Sequence, residues 1–248
     1  MTHVVWAQDG QGTDLANVGG KGANLHEMLE VGLPVPEAFI VTAQAWQAFL
    51  EEADLAHRLE EALEGVDIEV NKELTGAART IQQLILEAPM PKATEEAIRK
   101  AYGDMAPADD VHVAVRSSAT AEDLPDASFA GQQDTFLHVV GTEDVLSHVR
   151  KCWASLYTPR AIYYREKKDF PHEKVHMAVV VQRMVASETS GVMFTAHPTT
   201  GQEQAIIEAA WGLGEGVVSG QVTPDNYVIS RDGKVVEATV ATKRTMVV

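Results

Sequence analysis

The feature that most constrains this chain is a change of character at residue 111. Before it, apolar residues recur at helical spacing; after it, they cluster in short β-branched runs separated by turn residues. Gly22 to Glu30 sets Leu25, Met28 and Leu29 on one helical face, and Gly32-Leu-Pro ends it. Phe39-Ile-Val reads as a short strand, and Thr42 as the N-cap of a helix over 43–53. A long helix is expected around 71–87, and another from Thr94, acidic early and basic late as a helix dipole prefers. From Val111, the run His-Val-Ala-Val predicts a strand delivering Arg116 at its end, then a loop over 117–134 rich in Ser, Ala, Gly and Asp. A strand over 136–140 and a helix over 142–165, interrupted at Thr158-Pro159, come next. Strands are expected at 177–182, 191–195, 205–209, 226–230 and 235–240. Helices first and strands later predict a two-lobed α+β protein, with lobes 1–185 and 186–248.

Charge narrows the partners. Asp and Glu number 36 against 20 Lys and Arg, a formal charge of −16. Such a surface repels nucleic acid and anionic lipid, while a small anion in a cleft answers only to local cations. The single cysteine, Cys152, forms no internal disulfide, and the first residues show neither a basic nor an apolar leader segment. The expected setting is cytoplasmic.

The familiar catalytic signatures fail. Before Gly20-Lys21, Leu15 stands where a P-loop needs its first glycine, and Gly22 where it needs Ser or Thr. Gly212-Leu-Gly-Glu-Gly-Val misses the dinucleotide spacing at Val217. Two segments remain. Val18-Gly-Gly-Lys-Gly-Ala-Asn-Leu25 places three glycines around Lys21 at a helix start, so that backbone N–H groups and one point charge can meet an anion. The plain alternative is a glycine turn with a solvated lysine. Ala114-Val-Arg-Ser-Ser-Ala-Thr-Ala-Glu-Asp123 presents an arginine fork followed by hydroxyl donors, and Ser128-Phe-Ala-Gly131 forms a loop able to fold over phosphates. There the alternative is Arg116 paired with Glu122 or Asp123.

These segments carry a resemblance. The glycine–lysine opening with Gly32-Leu-Pro-Val-Pro-Glu-Ala-Phe39, and the run from Ala114 through Gly131-Gln-Gln-Asp-Thr135, are similar to the phosphoenolpyruvate synthase and pyruvate phosphate dikinase family. Cys152-Trp-Ala-Ser-Leu, Val181-Gln-Arg-Met-Val, Ser190-Gly-Val-Met-Phe and Ala210-Trp-Gly-Leu-Gly-Glu215 extend the match along the whole chain. The resemblance implies an ATP-grasp-type domain whose two lobes hold ATP, the second incomplete here. It implies that Lys21 and Arg116 contact ATP phosphates, that Gly131 and Thr135 belong to the loop over them, and that Gln182 lies beside the adenine. Glu215 is a weaker candidate. The cofactors implied are ATP and Mg2+, whose ligands this sequence does not let us name.

The family's phosphoryl-accepting histidine follows a glycine-rich signature that none of the nine histidines here has, so no catalytic residue is expected in the chain. Its partners would be a swivelling phosphohistidine domain and a substrate domain. Phosphoenolpyruvate synthesis is the leading expectation. Rifampin phosphotransferase is a close alternative, which Thr195-Ala-His-Pro and Gly216-Val-Val-Ser-Gly also resemble. A nucleotide-binding module without catalysis is the third reading.

Overall fold

The computed structural model describes residues 1–9, 14–108, 110–120, 123–124, 127–128 and 134–248. The chain divides into two compact units, Met1–Met184 and Val185–Val248, each with its own antiparallel sheet.

In the first unit β1 (Val4–Trp6) leads to α1 (Leu15–Glu30), β2 (Ala38–Val41) and α2 (Ala43–Glu52). Then come α3 (Leu55–Leu63), α4 (Asn71–Glu87), α5 (Lys92–Met105), β3 (Val113–Ala119) and a two-residue ladder of β4 (Asp123–Leu124) with β5 (Ala127–Ser128). β6 (Thr135–Val139), α6 (Thr142–Ala154), a 3-10 turn over Ser155–Tyr157, α7 (Pro159–Lys167) and β7 (Met177–Arg183) complete it. Thr42 caps α2 by accepting the Ala45 N–H, and Thr158 caps α7 by accepting that of Ala161. The Thr158-Pro159 break thus fits a new N-terminus, where a missing N–H costs nothing.

The five strands run in the order β1-β2-β7-β3-β6, every pair antiparallel. Alternation divides the sheet's two faces. Phe39, Val41, Val113, Val115, Met177, Val179 and Val181 face a large core supplied by α2 to α7. That core is centred on Trp46, Phe49 and Trp153, whose Phe49–Trp153 rings stack at 4.9 Å. The opposite face carries Ala38, Ile40, Ala178 and Val180, packed with Val18 and Leu25 of α1. Among the described residues, α2 to α7 pack on the first face and α1 on the second.

Several expectations change. Met28, expected inward, is 36% exposed, because α1 buries its stripe through Val18, Gly22, Leu25 and His26 instead. Arg116 lies in the middle of β3, not at its end, because Ser117 and Ser118 continue the ladder opposite Val179 and Ala178. β1 and α3 lack a sequence-level expectation: β1 has three residues, too few to show a period, and α3 follows α2 almost directly.

The second unit holds β8 (Thr189–Phe194), β9 (Gln204–Trp211), α8 (Glu215–Val218), β10 (Asp225–Ser230) and β11 (Val235–Thr239). Its sheet order is β11-β10-β9-β8. Ala210, Val217 and Val222 form its small core. Lys243 and Asp225 make an ion pair with side chains only 8% and 14% exposed, and the Lys243 ammonium lies over the Trp211 ring.

Candidate functional site

The site begins with a backbone conformation that only glycine holds comfortably. Within α1, Gly19 departs from helical geometry at φ 69°, ψ 174°, so the helical run restarts at Gly20 with Lys21 in its first turn. A β-carbon on Gly19 would come within 2.2 Å of the Ser118 carbonyl oxygen and 2.4 Å of its Oγ. Ser118 holds this turn in place: its hydroxyl donates to the Val18 carbonyl at 2.9 Å and accepts the Gly22 N–H at 3.3 Å. Glycine is thus needed here for close approach between α1 and β3 as well as for its positive φ.

Ser118 and Arg116 are two residues apart on β3 and therefore share the α1 face. Arg116 is half-buried and donates through Nη1 to Gln182 Oε1 on β7 at 3.4 Å. The Gln182 amide in turn donates to the Pro36 carbonyl at 3.5 Å, which aims its oxygen at the guanidinium. On the other side, Thr135 of β6 is the register partner of Arg116, so both side chains leave the same face, and Thr135 is exposed. Ser117, pointing the other way, donates to the Asp134 carbonyl at 3.1 Å and anchors the start of β6.

Lys21 is half-buried. Its charge acts on the Cys152 thiol, pulling that pKa down, while the Asp134 charge pushes it up. Burial dominates both and holds the thiol well above its ordinary range, so Cys152 is a core residue rather than a nucleophile. Burial also raises the Asp134 carboxyl above the usual carboxylate range.

Of the residues singled out from sequence, Arg116, Gln182 and Thr135 lie on three adjacent strands of one face, and Lys21 on the helix packed against it. Gly131 lies outside the described residues, as does Glu122. Glu215 is exposed at the start of α8 in the second unit. Ser117 and Ser118, expected as hydroxyl donors to a phosphate, instead donate to the Asp134 and Val18 carbonyls, and Ser118 serves to pin the glycine turn.

The face offers a hydrogen-bonded guanidinium, a hydroxyl and an amide, with Lys21 on the helix packed against it, a set of groups that suits a polyphosphate next to a polar ring system. Among the described residues, no group of three or more His, Cys, Asp or Glu side chains could hold a metal ion.

The family model described as "Pyruvate phosphate dikinase, AMP/ATP-binding domain" matches residues 15–248. The chain is 49% identical over 253 residues to the "Probable phosphoenolpyruvate synthase" of Methanocaldococcus jannaschii, covering 100% of this chain and 21% of the relative. It is 50% identical over 246 residues to the protein of the same description from Archaeoglobus fulgidus, covering 98% and 33%. Against the "Phosphoenolpyruvate synthase" of Pyrococcus furiosus it is 42% identical over 282 residues, covering 99% and 34%. The chain thus spans about a fifth to a third of the length of these curated relatives.

Proposed function

The chain belongs to the pyruvate phosphate dikinase AMP/ATP-binding domain family, and on that footing we propose that its α1-side sheet face binds the phosphates of ATP for a dikinase-type phosphotransferase. The observation that carries the proposal is the Arg116–Gln182 contact at 3.4 Å, with Thr135 opposite in register. An arginine fixed in orientation loses little freedom when it engages a phosphate, and its planar fork reaches two oxygens at once. Lys21 adds a point charge, and the helical run that restarts at Gly20 adds the positive end of its dipole. Gly131, outside the described residues, is the residue that the family resemblance assigns to shielding the phosphates from water.

The chemistry proposed for the complete enzyme is conversion of ATP, pyruvate and water to AMP, phosphoenolpyruvate and phosphate, with the phosphoryl group carried on a histidine of a separate domain. Residues here bind and orient the nucleotide, and no phosphoryl acceptor is proposed among them. Mg2+ would neutralise the phosphate charge when bound. The setting proposed is cytosolic. The synthase descriptions of the relatives favour pyruvate over an antibiotic as final acceptor.

The test mixes this chain with the isolated histidine domain of a phosphoenolpyruvate synthase and ATP labelled in the transferable phosphates, with and without Mg2+. Label on the histidine that requires this chain supports the reading. Nucleotide binding with no transfer under any metal makes the chain a binding module, and no binding at all removes the proposal.

A further inference from the structure

At the opposite end of β3 from Ser118, three strand ends bring together two imidazoles and a thioether. His112 precedes β3, His138 lies on β6 and Met184 follows β7, and these strands are neighbours in the order β7-β3-β6. His112 Nδ1 and His138 Nδ1 are 3.3 Å apart, with their rings near perpendicular at 83°. The Met184 sulfur accepts the His138 backbone N–H at 3.0 Å, and the Met184 N–H donates to the His112 carbonyl at 2.9 Å. His138 holds φ 56° at a register irregularity between β3 and β6. That bulge turns its ring toward His112.

We propose that His112, His138 and Met184 form a binding site for a soft transition-metal ion, of which Cu(I) is the best match. Two metal–imidazole bonds of ~2.05 Å spanning the observed 3.3 Å would open to about 107°, close to the tetrahedral angle. The third donor is a thioether, which favours Cu(I) over hard cations such as Mg2+ or Ca2+. Without metal, one Nδ1–H donates to the other Nδ1. For both Nδ1 atoms to bind metal, the donating ring moves its proton from Nδ1 to Nε2, so that each neutral ring carries one proton on Nε2. The site involves none of the nucleotide-site residues, so its test is independent of the ATP proposal.

The test titrates the full chain anaerobically with Cu(I) buffered by a chromophoric chelator, and separately with Zn2+. His112→Asn, His138→Asn and Met184→Leu are compared with wild type, Asn being chosen because it tolerates a positive φ. The expected result is one tight Cu(I) equivalent, weakened by more than about tenfold in either histidine variant, a loss that even an outer-shell partner can produce. Met184→Leu should weaken Cu(I) more than Zn2+. Folded histidine variants that hold Cu(I) as tightly as wild type would overturn the site, and an unchanged Met184→Leu would overturn the thioether ligand. Should the variants not fold, copper-edge X-ray absorption on the wild-type complex decides. Two imidazoles and one sulfur support the assignment; a shell of nitrogen and oxygen alone refutes it.

Discussion

At the scale of single residues, the site depends on how closely a helix can approach a strand. Gly19 lies against Ser118 at a distance that leaves no room for a side chain, in a backbone region that L residues avoid. Gly19→Ala therefore combines backbone strain with a steric overlap, and we expect it to destabilise the first unit by about 3 kcal/mol. Denaturant unfolding followed by tryptophan fluorescence would measure this, since Trp46 and Trp153 are fully buried in that unit. A loss below about 0.5 kcal/mol would mean that α1 can shift away from β3 at little cost. Ser118→Ala leaves the shape intact and removes one hydroxyl that both donates and accepts. It should cost about 1–3 kcal/mol, because the Val18 carbonyl and Gly22 N–H lose a buried partner.

At the scale of elements, helices and strands were legible wherever their own period or caps specified them. The α2 cap at Thr42, the extent of α4 at Asn71–Glu87 and the Thr158-Pro159 break agree with expectation because each is decided by local chemistry. What local chemistry does not decide was missed. The strand β1 exists because Val4, Val5 and Trp6 pair with Val41, Ile40 and Phe39, a contact across more than thirty residues. Arg116 belongs to mid-strand because Ser117 and Ser118 find hydroxyl partners at Asp134 and Val18 that the sequence does not announce. The convergence of Arg116 with Gln182 is likewise a matter of strand register. Elements also differ in how firmly they are held. β7 has five consecutive buried residues, whereas all five residues of β11 are exposed, Val235 and Val236 at 59% each. Amide hydrogen exchange should therefore open β11 first and β7 last. Equal protection of the two strands would contradict this ordering.

At the scale of the whole molecule, acidity of the surface and acidity of the medium act differently. The formal charge of −16 repels a nucleotide at long range, so ATP affinity must come from the local cations and should rise as salt screens that repulsion. Stability carries its own pH signature. His3 and His176 are both held below the ordinary histidine value, His176 by burial and His3 by burial first and the chain's amino terminus second. Burial favours the neutral imidazole of each in the fold, and Gln47 Nε2 lies 3.2 Å from His176 Nε2. A histidine whose folded pKa is depressed contributes nothing unfavourable above the unfolded value of about 6.5; stability then falls as pH drops through the lowered folded value. Thermal unfolding should show a decline setting in below about pH 6.5 that His176→Gln partly removes. An unaltered pH profile in that variant would assign the decline to other groups.

The most direct test of the central claim is calorimetric titration of ATP into wild type, Arg116→Ala and Arg116→Lys, with folding verified by circular dichroism. Loss of the fork should weaken ATP by about 10- to 100-fold in the alanine variant, and lysine should restore only part of it. A folded Arg116→Ala protein that binds ATP with wild-type affinity would take the triphosphate off this face of the sheet.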